Sequence, residues 1–330
     1  MAFFNTNIPE LSGFDTGICL SNLDILAKRQ DMVSESVLGV LSELCDAILQ
    51  DAGGDPDTVD SILLSLQSPP DESNAPAPSV ASVNRELVRR MYARSGLYAR
   101  LLLYRLMQER LGSDSEEVTP PPSPLPASIQ GRVAYMPGAF ADKAYLRLTA
   151  PLKSPRAAAT ASFVDACEEV HSGLCEYCIL PLENTHNGRL TAFTRLIIRY
   201  RLQVVAVCDL ENGAADRQIT RFALLRNADE GRFPAPLETP LTRPPLCLEI
   251  IHTTDSPTYT DLLGAADFCG LTLRSTDTLP AFDELELPGA DASPIIACVL
   301  DATEGDLATF SRFLALEAPE DILVGLYGSV

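Results

Sequence analysis

Four residues in the middle of the chain are of types that bind zinc: Cys167, His171, Cys175 and Cys178. Thiolate and imidazole groups at this close spacing could be drawn as a zinc site. Residues 162–171 have a helical pattern and residues 176–180 a strand pattern, so these side chains are expected to diverge. A single Cys-x-x-Cys pair without a second pair is a weak zinc signal. We therefore predict no metal and no cofactor.

The nine cysteines are odd in number and scattered along the chain, which favours reduced, mostly buried thiols over a disulfide framework. The first residues, MAFFNTNIPELSGFDTG, lack the basic region that opens a secretory signal. No run approaches the roughly 18 apolar residues of a membrane helix. These patterns predict a cytoplasmic protein.

The formal net charge is −20, from 45 acidic and 25 basic residues among 330. Phosphate binding needs a concentrated basic surface, so nucleic acid is excluded as an expected partner. An acidic membrane surface is excluded for the same reason. A local cationic pocket for a small anion remains compatible with this charge.

Proline-rich segments divide the chain into parts of different pattern. Residues 1–112 contain helical periodicity at 20–48, 58–66 and 84–111, which predicts an all-helical domain. Residues 113–130 and 229–245 are predicted to be linkers. Residues 131–228 alternate strands and helices, which indicates a single α/β lobe. Residues 246–330 repeat the alternation as βαββαβ, the ferredoxin-like arrangement.

Two short polar blocks border the apolar strands of the middle part. One is Glu183-Asn184-Thr185, and the other is Thr220-Arg221 followed by an aromatic residue. Taken alone, Thr220 is either a functional hydroxyl or an ordinary strand residue. Asn184 is either a contact to a ligand or a turn former. The residues by themselves leave both interpretations open.

These blocks carry a resemblance to a known family. The segment GRVAYMPGAFADK (residues 131–143), the helix and Pro-Leu-Glu-Asn-Thr loop within 162–188, and Thr-Arg-Phe at 220–222 are similar to prephenate dehydratases. The helices before the first linker resemble an AroQ-type chorismate mutase, most visibly at Leu26-Ala27-Lys28-Arg29. The tail, which ends in ILVGLYGS, resembles an ACT regulatory domain. The whole order resembles that of the bifunctional chorismate mutase–prephenate dehydratase family.

The resemblance implies a chemistry and a set of site residues. Prephenate is a dianion that loses water and carbon dioxide to become phenylpyruvate, so a catalyst must protonate the leaving hydroxyl and hold two carboxylates. Thr220 is implied as the catalytic hydroxyl, with Asn184 and Thr185 as catalytic polar contacts. The implied substrate-binding residues are Arg221, Phe222, Glu183, Gly188 and, in the mutase-like part, Arg29. The implied effector-binding residues of the ACT-like tail are Ser256, Pro257, Thr258, Tyr259 and Arg274.

The chain departs from this family in all three parts. The family inserts a second lobe between the Glu-Asn-Thr loop and the Thr-Arg-Phe strand, whereas only residues 190–219 lie between them here. The lysine and arginine expected in the mutase-like pocket fall near Val40 and Ser12. The tail lacks the Pro-Gly-Ala-Leu and Glu-Ser-Arg-Pro motifs with which the family binds phenylalanine. Electrostatic catalysis loses most of its force in an open, wet site.

These departures favour a catalytically degenerate protein that serves as a binding, regulatory or assembly module. A working prephenate dehydratase, which is a carbon–oxygen lyase, with a rebuilt site is the competing hypothesis. A sensor of aromatic amino acids through the ACT-like tail is the third. We expect a homodimer through that tail, and the arginine-rich segment 84–111 is a candidate surface for a protein partner.

Overall fold

The computed structural model describes residues 35–67, 92, 96–114, 130–211, 218–228, 245–253, 257–280 and 295–330. The chain forms two compact units, Met1–Met107 and Gln108–Val330. The predicted site residues Arg29 and Ser256 lie outside the described residues, as do most of the two predicted linkers and most of segment 84–96. No described helix is long and apolar enough to span a membrane.

The first unit is helical where it is described. It contains α1 (residues 35–52), α2 (Pro56–Gln67) and the start of α3 (Leu97–Asp114). Asp55 caps α2 by accepting a hydrogen bond of 3.0 Å from the backbone N–H of Thr58. The buried apolar residues of these helices include Leu41, Leu44, Cys45, Ile48, Val59, Leu63, Leu101, Tyr104 and Met107, whereas Val37 and Leu38 are exposed. The helical character predicted for segments 20–48, 58–66 and 84–111 is confirmed within residues 35–48, 58–66 and 97–111.

The second unit is a mixed α/β structure. Its elements in chain order are β1 (Arg132–Tyr135), α4 (Ala139–Leu148), β2 (Arg156–Ala159), α5 (Phe163–His171), β3 (Tyr177–Asn184), β4 (Gly188–Arg189), α6 (Thr191–Arg199), β5 (Leu202–Glu211), β6 (Ile219–Asn227), β7 (Cys247–His252), α7 (Tyr259–Phe268), β8 (Thr272–Leu279), β9 (Ile295–Asp301), α8 (Leu307–Glu317) and β10 (Ile322–Ser329). The alternation of strands and helices predicted from the sequence is confirmed.

All strands of the described residues belong to one sheet, in the order β2-β1-β3-β6-β5-β10-β7-β9-β8, with β4 beside β3. β1, β2, β3 and β5 run parallel, and β6 lies antiparallel between β3 and β5. The tail strand β10 continues this sheet by pairing parallel with β5. The lobe and the tail therefore share their backbone hydrogen bonds, and we call the β5–β10 pair the seam.

The sheet buries apolar side chains on both faces. On one face, Val133, Ile179, Phe222 and Leu224 pack with Ala144 and Leu148 of α4. On the opposite face, Cys178, Leu180, Ala223 and Leu225 pack with residues of α5 and α6, and Ile251, Ile295, Ala297, Val324 and Tyr327 of the tail extend the same cluster. A hydrophobic core that crosses the seam follows from this arrangement.

Gly325 of β10 is the point of closest approach at the seam. It lies opposite Val204 of β5, and a Cβ atom at this position would lie 2.8 Å from the Val204 nitrogen, 3.0 Å from its carbonyl carbon and closer still to its oxygen. Backbone atoms cannot move aside as the end of a flexible side chain does. The seam therefore requires glycine here.

We expect Gly325→Ala to lower the free energy of unfolding by about 1–3 kcal/mol or more, because the added methyl group overpacks the seam. Gly264→Ala is a matched control, since an added Cβ at Gly264 in α7 has no heavy atom within 4 Å. The control should be neutral or stabilise the protein by about 0.5–1 kcal/mol. Urea denaturation followed by circular dichroism measures both. Equal behaviour of the two variants would contradict the role of the seam.

Candidate functional site

The carboxyl ends of β1, β2 and β3 and the amino end of β6 meet at one edge of the sheet. Across β3 and β6, Asn184 lies opposite Thr220, and Glu183 lies opposite Arg221. The two polar blocks are more than thirty residues apart in sequence, yet the antiparallel register makes them neighbours. In open α/β sheets the carboxyl edge of the parallel strands is where ligands bind, so we call this edge the candidate site.

The Asn184 side chain shapes an exposed turn after β3. Its side-chain oxygen accepts hydrogen bonds from the backbone N–H groups of His186 at 3.0 Å and Asn187 at 2.7 Å. Gly188 follows with a φ of 66°, a left-handed conformation that favours glycine. The turn lets the chain reverse from β3 into β4. The side-chain oxygen of Asn184 is therefore engaged in shaping the loop.

Thr185 closes the end of the sheet. Its hydroxyl oxygen accepts a 3.2 Å hydrogen bond from the N–H of Ile219, and its own N–H donates to the Ile219 carbonyl at 3.0 Å. These two bonds attach the loop after β3 to the first residue of β6. They use one lone pair of the hydroxyl oxygen for structure.

Thr220 differs from its neighbours. Its hydroxyl makes no hydrogen bond to any described residue, and the residue is half-buried. Alternation along β6 places it on the same face as Phe222, whose ring is buried beside α4. Among the three predicted catalytic residues, Thr220 is thus the one whose side chain makes no hydrogen bond to a described residue. Phe222 packs in the core.

Arg221 is bound by two carboxylates of the protein itself. Its guanidinium donates to both oxygens of Asp209 in β5, at 2.8 and 3.1 Å, and lies 2.6 Å from Glu183 in β3. The hydrogen bond to Asp209 is the main cause that raises the pKa of Arg221 above its usual value. Two-point contact with a carboxylate is the strongest arrangement available to arginine. The charge of Arg221 is neutralised internally.

Arg189 is a second arginine held in this way, and sequence reasoning did not select it. Its guanidinium contacts Glu249 of β7 and lies 3.3 Å from Asp277 of β8. The side chain of Arg189 is 14% exposed and that of Glu249 only 3%. Burial by itself would lower the pKa of Arg189, but the two carboxylates raise it. The Glu249 carboxylate also accepts a 2.8 Å hydrogen bond from the Tyr327 hydroxyl.

The predicted effector residues of the tail are also engaged. The Thr258 side chain caps α7 in a reciprocal arrangement with Asp261. The Tyr259 hydroxyl donates to Thr276 at 3.2 Å. Arg274 donates to Asp301 at 2.6 and 3.2 Å and to the Cys247 sulfur at 3.3 Å. Pro257 is half-buried and lies two residues before the first residue of α7.

We call these ion pairs of the lobe and the tail, taken together, the arginine–carboxylate cluster. Its members are Arg189, Arg221, Arg274, Glu183, Asp209, Glu249, Asp277 and Asp301. Two further residues bind members of these pairs: the Tyr327 hydroxyl donates to Glu249 at 2.8 Å, and the Cys247 sulfur accepts from Arg274 at 3.3 Å. Five carboxylates thus surround three guanidinium groups, so the cluster itself has an excess of negative charge.

The cysteines of the middle part are buried, and His171 points elsewhere. The Cys178 thiol lies beside that of Cys167, and this hydrogen bond together with burial raises the pKa of Cys178 well above its usual value. Burial raises the pKa of Cys175 to about 12, and this thiol donates to Glu169. His171 contacts the backbone oxygen of Tyr200. Among the described residues, no group of three or more His, Cys, Asp or Glu side chains is arranged to hold a metal ion.

The partners of Arg189 explain why sequence reasoning missed this residue. Glu249 and Asp277 lie 60 and 88 residues further along the chain. No local spacing pattern connects positions so far apart. The one local signal is that a charged residue directly follows the turn glycine Gly188 and precedes the apolar helix α6.

No protein-family model and no curated protein matches the sequence. The backbone is similar to solved prephenate dehydratases, including those from Streptococcus mutans (TM-score 0.45, 15% identity, 60% of this chain and 98% of that one) and Arthrobacter aurescens in complex with L-Phe (0.43, 12%, 60% and 90%). It is also similar to GqqA, described as a novel type of quorum quenching acylase (0.44, 15%, 61% and 96%). Similarity at this level assigns no activity to this chain.

We expect Arg189→Met to lower the free energy of unfolding by about 3–5 kcal/mol, because it leaves the buried Glu249 carboxylate without its cation. The double variant Arg189→Met, Glu249→Gln should lose less, since no uncompensated charge stays buried and glutamine still accepts from Tyr327. Guanidinium denaturation of both single variants and the double variant gives the coupling energy. A coupling energy near zero would show that the contact carries no stability.

Proposed function

We propose that this chain is a divergent relative of the prephenate dehydratases that has lost catalysis and serves as a binding or assembly module. The observation that carries the proposal is the state of the two arginines at and beside the candidate site. Arg221 and Arg189 are each bound by two carboxylates of the same chain. A site for a dianion needs cations whose charge is available to the ligand.

The electrostatic balance opposes prephenate directly. A ligand with two carboxylates approaching Arg221 would meet Asp209 and Glu183, whose side chains are 45% and 40% exposed. Like charges at short range repel, and the protein's own carboxylates already occupy the donor groups of the guanidinium. The excess of carboxylates in the arginine–carboxylate cluster adds to this repulsion.

The connection between β5 and β6 also supports the proposal. These strands form an antiparallel ladder from the pair Leu202–Asn227 to the pair Glu211–Ile219. Only residues 190–219 lie between the Glu-Asn-Thr loop and the Thr-Arg-Phe strand, where the family inserts a second lobe, and α6 and β5 account for most of them. A substrate at this edge would have one protein wall, and water would screen the charges that develop during the reaction.

A second candidate function is a prephenate dehydratase with a rebuilt site. It is favoured by Thr220, whose hydroxyl makes no hydrogen bond to a described residue and lies across the strands from Asn184. In this hypothesis Thr220 donates a proton to the leaving hydroxyl of prephenate, and a second copy of the chain supplies the missing wall.

The proposed module has a surface suited to self-assembly. Among the described strands, β8 forms the tail-side edge of the sheet, and seven of its eight residues are exposed. An edge strand presents unpaired backbone N–H and C=O groups. We propose a homodimer through the ACT-like tail, in which this strand takes part.

An aromatic amino-acid sensor would bind its ligand near Tyr259 and Arg274, where the described polar groups already pair with one another.

We expect purified full-length protein supplied with prephenate to form no phenylpyruvate above the uncatalysed rate, at micromolar enzyme. The physical reason is that neither arginine offers its charge to the substrate. Phenylpyruvate absorbance measures the reaction, with an active prephenate dehydratase as the positive control. Circular dichroism establishes that the tested protein is folded.

The variant Thr220→Ala distinguishes the two candidate functions. It removes one half-buried hydroxyl that makes no hydrogen bond to a described residue, so it should not disturb the fold. Turnover by the parent that is lost in Thr220→Ala would establish a rebuilt dehydratase site and end the proposal of a catalytically degenerate module. Absence of turnover in both folded proteins is the result that the proposal requires.

A further inference from the structure

We propose that two aspartates prevent small carboxylate ligands from binding to arginines of this chain: Asp277 is the internal counter-ion of Arg189, and Asp209 is that of Arg221. Removing either aspartate makes the guanidinium group of its arginine available as an anion-binding site. The inference deepens the proposed function, on which it rests, by naming the residues that keep the site closed and the class of ligand that they exclude.

Arg189 is held in place by one buried partner and covered by one exposed partner. Glu249 is 3% exposed and is fixed by the Tyr327 hydroxyl, so it orients the guanidinium from inside the protein. Asp277 is 48% exposed and makes a single contact of 3.3 Å with Nε of Arg189. The Asp277 carboxylate therefore lies on the solvent side, where an external carboxylate would have to bind.

Arg221 repeats this arrangement at the lobe side of the seam. Asp209 binds Nε and a terminal nitrogen of the guanidinium and is 45% exposed. The two-point geometry is the one that a ligand carboxylate would adopt on a free arginine. Glu183 holds the remaining terminal nitrogen at 2.6 Å. Without the Asp209 carboxylate, Glu183 still holds Arg221 in place. Nε and one terminal nitrogen of the guanidinium are then available for two-point contact with a ligand carboxylate.

An internal carboxylate excludes a dissolved one by its local concentration. Asp277 and Asp209 are fixed to strands beside their arginines, so no translational freedom is lost when the ion pair forms. A free carboxylate must lose that freedom and also displace the aspartate. Exchange of aspartate for asparagine keeps the size of the side chain and removes both the competitor and its repulsion.

The experiment is a calorimetric titration of the full-length protein with malonate, an unreactive dicarboxylate, at constant ionic strength. We expect Asp277→Asn and Asp209→Asn each to bind malonate at least about ten-fold more tightly than the parent. Asp277→Glu keeps a carboxylate at the site and should bind as weakly as the parent. Asp267→Asn in α7 is the matched control, because it removes one exposed negative charge that contacts no described side chain.

Tighter binding in both asparagine variants, with none in Asp267→Asn, supports the inference. Equal gains in Asp267→Asn would mean that net charge controls binding, and unchanged affinity in folded Asp277→Asn and Asp209→Asn would mean that no closed site exists; either result overturns it. The prephenate assay is separate. Turnover by the parent would refute the proposed function, whereas the comparison of malonate affinities would still decide whether the aspartates act as counter-ions.

Discussion

A buried carboxylate has to keep a cation beside it, and this requirement organises the second unit. Glu249 lies in the middle of the tail sheet with its side chain almost fully enclosed. The cation that pairs with it, Arg189, lies in β4, directly after the turn that follows β3 of the lobe. Pairing the two charges therefore fixes the candidate-site loop against the tail. Tyr327 of β10 completes the arrangement from the strand that forms the seam.

The seam and the arginine–carboxylate cluster support each other. Parallel pairing of β10 with β5 brings β7 and β8 within reach of the lobe, so that Arg189 can contact both Glu249 and Asp277. The close approach at Gly325 sets the spacing of the two strands. The tail is thus joined to the lobe by backbone hydrogen bonds between β5 and β10.

Local sequence patterns predicted most helices and strands because each needs only a few neighbouring residues. The turn at Asn184 and the cap of α7 at Thr258 have the same local origin. β2 was missed because Arg-Ala-Ala-Ala lacks the branched and aromatic residues typical of strands. The partners of Arg189 and Arg221 could not be predicted, because they depend on strand order across the seam. The order of ten strands is a property of the whole chain, which no spacing pattern encodes.

The central claim is that lobe and tail form one cooperative structure joined at the seam. Native-state amide hydrogen exchange at increasing denaturant tests it most directly, because it reports the free energy at which each strand opens. The account predicts that the amides of β5 and β10 exchange through one common opening reaction. Their free energies of opening should be equal and should decrease equally with denaturant concentration. Exchange of β7, β9 and β10 through a separate opening of lower free energy, while β5 stays protected, would contradict it.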